Sequence, residues 1–250
     1  IPACSQPAGS EPAIRGNEIS IYKFDSDNDI FNLVYKFDYN SPGNRVRDVD
    51  SDWLRISFAA DPFPVNTTNS LSEDTEFIYF ADVSGTVFRL DVRDPDDGVW
   101  FLRRVFSYRD VAHDISWGSG VRTYVSFALY PPLSTRYPSF TSNLGEKRIP
   151  IPIVTGNMVN TTISEYDKII TFFDRYPEDP ADDPDPVNVS DVYVLTPAEQ
   201  KVEGSTDYLD WEGWQIRLTT DTMTEKCISR PLLYRRRSDD DRLKSEFTLW

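Results

Sequence analysis

The stretch Phe77-Ile78-Tyr79-Phe80-Ala81-Asp82-Val83-Ser84-Gly85-Thr86-Val87-Phe88-Arg89-Leu90-Asp91-Val92 reads as two strands around a tight turn. Phe77 to Phe80 is an apolar, aromatic run. Asp82-Val83-Ser84-Gly85 supplies an acidic, glycine-containing turn, a good hairpin signal between two such runs. Val87, Phe88, Leu90 and Val92 resume with partial alternation, with Arg89 and Asp91 set between them. Asp82 and Gly85 are expected to shape the turn, and Arg89 to pair with an acid on a neighbouring strand.

Strand signals continue in both directions. Glu18 to Phe24 alternates Ile19, Ile21 and Phe24 with polar neighbours. Ile30 to Tyr39 carries Phe31, Leu33, Tyr35, Phe37 and Tyr39 as one period-two stripe, expected on a single face. Trp53–Phe58, Val99–Tyr108, Gly120–Tyr130, Tyr166–Phe173, Val189–Leu195, Trp211–Leu218 and Phe247–Trp250 extend the series. Ile149–Val154 contains Pro150 and Pro152, which predicts an edge or extended segment. Eighteen prolines punctuate most windows, and the one clear helix signal is Thr196 to Gln200, with Thr196 as N-cap and Pro197 at the first position. The reading is all-β, with antiparallel strands, Pro-rich loops and little helix.

Two loops stand out. Tyr176–Pro186 is acidic and Pro-rich and is expected to be exposed. Arg235–Arg237 followed by Asp239–Asp241 reads as a solvated, self-neutralising loop.

Composition narrows the class. The chain has 250 residues, enough for a sizeable core, and 14% aromatics, so it is not a disordered chain. A formal net charge of -15 repels nucleic-acid phosphates and disfavours docking on anionic lipid. His113 is the only histidine and Cys4 and Cys227 the only cysteines, too few for zinc, haem or iron–sulfur sites built from such ligands. Cys4 and Cys227 read as one long-range disulfide, about 4–5 kcal/mol in the chain-entropy model, or as two buried thiols if the chain stays in a reducing compartment. No apolar run approaches a membrane span, and Ile1-Pro2-Ala3-Cys4-Ser5 reads as the start of a processed chain. The sequons at Asn66, Asn160 and Asn188 are glycosylation candidates if the chain is secreted.

Acidic turns invite a divalent cation. Asp25, Asp27 and Asp29 space oxygen ligands as the first half of an EF-hand loop does, but Ile30 stands where the loop's Gly is needed and Lys36 where its closing Glu is needed. Asp94, Asp96 and Asp97 form a second candidate for Ca²⁺, ending at Gly98, and Asp48, Asp50 and Asp52 a third cluster. Any bound Ca²⁺ has to borrow ligands from another loop. With 41 acidic residues, no carboxylate pair is singled out for catalysis by spacing, and His113 has no placeable nucleophile partner.

Four segments, in order over about residues 77–233, resemble the C-terminal β-propeller of the PilY-type family of type IV pilus assembly and tip-adhesin proteins. Phe77–Val92 is similar to the family's Tyr-x-Gly-Asp-x-x-Gly-x-x-Trp-Arg-x-Asp hairpin, with Ala81 for the Gly and Phe88 for the Trp. Ile149–Phe173 resembles its Pro-Ile and Tyr-Asp passage, matched at Tyr166-Asp167 but with Phe173-Asp174-Arg175 in place of Gly-Thr-Gly. Asp191–Leu195 is similar to the strand that follows, and Gly213–Leu218 with Glu225-Lys226 and Pro231-Leu232 to a Gly-Trp-x-x-x-Leu passage. The family's calcium loop has no full counterpart. At about 40–50 residues per blade, the chain makes at most about five blades. The resemblance implies a single compact or partial propeller over residues 1–250, or a fragment of a longer chain. It further implies a non-enzymatic, extracellular, pilus-associated adhesin whose partners are pilus or other cell-surface proteins and a host or abiotic surface. Two alternatives stay open: a self-assembling subunit of a filament or sheath, whose edge strands pair between chains, and a secreted propeller hydrolase.

Overall fold

A computed structural model describes residues 18–37, 46–47, 58, 62–67, 75–82, 85–94, 96, 99–108, 128–129, 140–155, 167–176, 184–195, 210–218, 232–237 and 243–248. Strands β1 (Ile19–Asp25) and β2 (Ile30–Phe37) form an antiparallel hairpin. Strands β3 (Val46–Arg47), β4 (Phe63–Val65), β5 (Phe77–Ala81), β6 (Thr86–Asp91) and β7 (Phe101–Ser107) belong to a first large sheet. Strands β8 (Ala128–Leu129), β9 (Phe140–Thr141), β10 (Lys147–Thr155) and β11 (Asp167–Arg175) belong to a second. The chain then crosses between them. Strand β12 (Val187–Asn188) joins the first sheet, a 3-10 turn covers Val189–Asp191, and β13 (Tyr193–Val194) joins the second. Strand β14 (Gly213–Leu218) completes the second sheet, and β15 (Leu232–Arg237) pairs with β16 (Leu243–Thr248) as a separate hairpin. The fold is all-β.

The hairpin that decides the class forms as its turn chemistry dictates. The Asp82 carboxylate accepts the Thr86 N–H at 3.0 Å, and the Gly85 N–H bonds the Asp82 carbonyl at 3.2 Å. Gly85 has φ 97°, a conformation open to glycine at little cost. Strands β5, β6 and β7 follow as an antiparallel meander, and every residue of β6 is buried.

That burial reflects a layered structure. One face of the first sheet offers Phe77, Tyr79, Ala81, Val87, Val105 and Phe106 to Ile149, Ile151, Ile153, Ile170 and Phe172 of the second. Phe106 stacks on Phe172 across the interface, with centroids 4.6 Å apart. The other face offers Phe80, Phe88, Leu90 and Leu102 to Ile19 and Phe37 at the base of the β1–β2 hairpin. Among the described residues the two large sheets face each other across one core, and no closed ring of blades is present.

A charged cluster is sealed in the core between the sheets. Tyr79 and Arg89 are direct cross-strand partners, and both reach Asp174 of the facing sheet. Arg89 Nη1 lies 2.8 Å from Asp174 Oδ2, and the Tyr79 hydroxyl donates to the same oxygen at 2.5 Å. Burial, then the Asp174 charge, pushes the Tyr79 hydroxyl well above its ordinary pKa. Burial alone would lower the Arg89 pKa, but Asp174 and Tyr79 reverse that and hold the guanidinium charged. The acid that pairs with Arg89 thus lies in the opposite sheet, not on a neighbouring strand.

Several further expectations are corrected. The prolines of β10 do not make it an edge: it pairs with β11 on one side and with β8 and β9 on the other. Pro150 and Pro152 share a parity, so their missing N–H groups lie on one edge of the strand. They fall in the gap between the β9 contact at Lys147–Arg148 and the β8 contact at Ile153–Val154. Val189–Leu195 is a 3-10 turn and a two-residue strand, because Val192 turns inward to the core. Tyr176, at the head of the Pro-rich loop, is buried edge-to-face against Phe77. Arg235–Arg237 is strand, paired with Leu243–Ser245. The Thr196–Gln200 helix, His113, Asp239–Asp241 and most of Trp53–Phe58 and Gly120–Tyr130 lie outside the described residues.

Replacing Asp174 by Asn removes the buried carboxylate that Arg89 faces and is expected to cost about 3–5 kcal/mol. Tyr79→Phe, which loses one bond to a charged group, is expected to cost about 1.5–3 kcal/mol. Urea denaturation at neutral pH measures both, and equal or negligible losses refute the cluster's role. Gly213, with φ 148°, sits where an added Cβ would meet the Thr171 carbonyl oxygen at 2.3 Å. Gly213→Ala should cost more than about 1 kcal/mol by the same measurement.

Candidate interaction surface

The β1–β2 hairpin is anchored at its base and bare at its tip. At the base, Ile19 faces Phe37 and Ile21 faces Tyr35, and these four pack toward the first sheet. The register then shifts between Ile21 and Tyr22: the next pair is Tyr22 with Leu33, so Val34 is an extra residue in β2. Such a bulge breaks the period of two. Phe31 and Leu33 therefore do not continue the face of Tyr35 and Phe37, as the sequence stripe predicts. They pair instead with Phe24 and Tyr22. Phe31 is 70% exposed, Tyr22 55%, Leu33 54%, Phe24 49% and Ile30 48%. Phe24 and Phe31 pack on each other with ring centroids 5.1 Å apart. Lys23 and Asn32, on the opposite face, are also exposed, so the distal half of the hairpin projects from the body.

The apex is the acidic turn Asp25–Asp29. The Asp25 carboxylate turns back into it: one oxygen accepts the Asp27 and Asn28 N–H groups at 3.0 and 3.4 Å, the other the Asn28 side-chain amide at 2.8 Å. The Asn28 side chain, then the Asp27 N–H, holds the Asp25 carboxyl below its ordinary pKa. Asp29 takes a left-handed φ of 57° that closes the turn. Among the expected calcium ligands, Asp25, Asp27 and Asp29 do share one turn, but Asp25 spends both oxygens on the turn's own donors. An open depression of about 360 Å³ beside it is lined by Lys23, Phe24, Asp25, Ser26 and Asn32. Among the described residues, no group of three His, Cys, Asp or Glu side chains is placed to hold a metal ion.

The other predicted positions are scattered. Asp94 caps a separate turn, its carboxylate accepting the Asp96 N–H at 2.8 Å and its carbonyl the Trp100 indole N–H at 2.7 Å. Asn66 follows β4 and is half-buried, beside Thr67, which donates to Glu76. Asn188 ends β12 half-buried, its N–H bonded to Asp191 at 3.0 Å. Asp97, Asn160, Cys4 and Cys227 lie outside the described residues.

A second charged group, unnoticed in the sequence, closes one end of the second sheet. Glu146 binds the buried Arg148 and lies 3.5 Å from Arg175, which reaches Glu212 at 3.3 Å. Burial raises the Glu146 pKa, but Arg148 and Arg175 outweigh it and hold the carboxyl below its usual range. A carboxylate kept ionised in this way serves as a fixed counter-charge, the reverse of a general acid. Glu18, at the hairpin base, is likewise held low by Lys36 at 2.6 Å and by Ser20.

Compared with known proteins, the chain matches no family model, no curated protein and no solved structure. No helix among the described residues is long and apolar enough to cross a membrane.

The lowered carboxyls of Glu18, Asp25 and Glu146 fix the sign of acid sensitivity. The folded chain binds these protons less readily than the unfolded one. The stabilisation is therefore complete above the unfolded carboxyl values near about 4 and is lost as pH falls through the lower folded values. The urea midpoint should hold steady from neutral pH to about 5 and drop below about 4. Glu146→Gln should flatten part of that drop, and a midpoint that rises on acidification contradicts the assignment.

Proposed function

We propose that this chain is a non-enzymatic extracellular binding protein whose working surface is the distal half of the β1–β2 hairpin. One observation carries the reading: Tyr22, Phe24, Phe31 and Leu33 are all exposed on one face of one projecting element. Scattered exposed apolar residues are ordinary, but a contiguous apolar patch marks an interaction site. The body supports this use. The first sheet holds the hairpin base through Phe80, Phe88, Leu90 and Leu102, so the tip is presented on a packed mount. The ordered resemblance of residues 77–233 to the pilus-associated adhesin family supports the same class, with cell-surface proteins or a host or abiotic surface as what is bound.

Adsorption of the full chain to an alkyl-terminated sensor surface, followed by quartz-crystal microbalance, tests the reading. Each buried Phe contributes about 1.5–3 kcal/mol, so Phe24→Ser with Phe31→Ser should weaken adsorption at least about 100-fold. Far-UV circular dichroism should stay unchanged, because both side chains are exposed. Undiminished adsorption by the double variant sinks the proposal.

A further inference from the structure

The binding reading leaves the occupant of the tip open, and the inference that follows rests on that reading and deepens it. Strand β2 reads Ile-Phe-Asn-Leu-Val-Tyr-Lys-Phe: high β propensity, one charge, no proline and no glycine. This is the composition of a segment that pairs with others of its kind. Among the described strands β2 pairs with β1 alone, and residues 30–33 are exposed. Edge strands usually carry proline or several charges as a guard. Along Ile30–Leu33 there is neither, and the bulge at Val34 lies on the body side of that stretch.

We propose that the distal edge of β2, Ile30–Leu33, pairs antiparallel with the same edge of a second copy of this chain, centred on Asn32. Charge selects this geometry. With net charge -15 per chain, two copies repel overall, and a parallel pair would set the two acidic turns side by side. The antiparallel pair centred on Asn32 sends them to opposite ends, about 34 Å apart at strand rise, well beyond the roughly 8 Å screening length at physiological salt. It also brings Lys36 of each copy level with Asn28 of the other, between Asp27 and Asp29. On the apolar face it sets Phe31 opposite the other copy's Leu33, so the patch of Tyr22, Phe24, Phe31 and Leu33 becomes continuous across a four-stranded sheet. The contact is isologous and closes on itself. A lipid surface fits less well, because Asp25, Asp27 and Asp29 form the apex and would have to enter the bilayer first.

Sedimentation velocity of the full chain, over a wide concentration range at low and high salt, reads the outcome. The expected result is a reversible monomer–dimer equilibrium that tightens as salt is raised, since salt screens the repulsion of like-charged chains. Phe31→Lys alone and Leu33→Glu alone should each weaken the dimer at least about tenfold, as each cross-strand apolar pair is lost twice. Mixing the two variants should restore a heterodimer, because the introduced charges then face each other. A wild-type chain that stays monomeric at every concentration and salt overturns the proposal. So does a dimer untouched by both variants, a mixture that stays monomeric, or an association that weakens with salt. If the wild type is monomeric but the Phe24→Ser, Phe31→Ser variant still loses adsorption, the second copy is refuted and the binding surface stands. If dimerisation behaves as described while adsorption is unchanged, the converse holds.

Discussion

The contact on which the body depends is the buried triangle of Arg89, Asp174 and Tyr79. A guanidinium and a carboxylate sealed between two sheets are costly to desolvate, and their attraction repays that cost only when the geometry is right. Here it is right because two independent registers deliver it. Tyr79 stands opposite Arg89 in the first sheet, and Asp174 stands opposite Ile149 in the second. A slip of one residue in β6 would turn Arg89 toward the hairpin side, into the cluster of Phe80, Phe88 and Leu90, with no acid to meet it. Apolar packing between the two sheets is non-directional. The charged triangle admits one register, and we read it as the element that makes the packing unique.

Fixing that register also fixes the hairpin. Once Arg89 points to the second sheet, Phe88 and Leu90 must point away from it, and they supply the floor on which Ile19 and Phe37 rest. Phe58 adds an edge-to-face contact to Phe88 at 5.5 Å. The floor is short. It ends where the bulge at Val34 begins, so among the described residues the rest of β1 and β2 has nothing packed beneath it and is exposed. Core chemistry and surface presentation are consecutive steps along the same strands.

This chain of causes was only partly legible in the sequence. The β5–β6 hairpin was, because an acidic turn with a glycine is local chemistry, and so were β1, β2, β7, β11 and β14, along which apolar β-forming residues recur. Arg89 could be seen to want an acid, but its partner lies 85 positions away and nothing local identifies Asp174. Period-two reading failed at Val34 because a bulge adds a residue without altering composition. Proline failed as an edge signal in β10 because what matters is which edge loses its donor and whether a strand lies there. The acidic turn at Asp25–Asp29 was legible as a turn, but not the inward fold of Asp25. The exposed tip was missed altogether, since Phe24, Phe31 and Leu33 look in sequence like any core strand.

The net charge and the bare hairpin belong to one constraint. An unguarded apolar edge on a projecting strand is an aggregation hazard, and a chain with such an edge stays dispersed only if something opposes open-ended stacking. Here the opposition comes from two sources. A net charge of -15 raises the cost of every added copy, and three aspartates at the apex penalise arrangements that bring tips together. Neither blocks lateral contact along the edge when the tips point apart. Charge of this kind, placed at one end of the strand instead of along it, filters geometry and leaves the apolar surface intact. A lysine in the middle of Ile30–Leu33 would protect against aggregation equally well, but it would remove the apolar surface as it did so. Under the binding and pairing proposed above, residues at that position and residues at the apex therefore have separable effects, the first on whether the tip binds and the second on how copies are oriented when they meet.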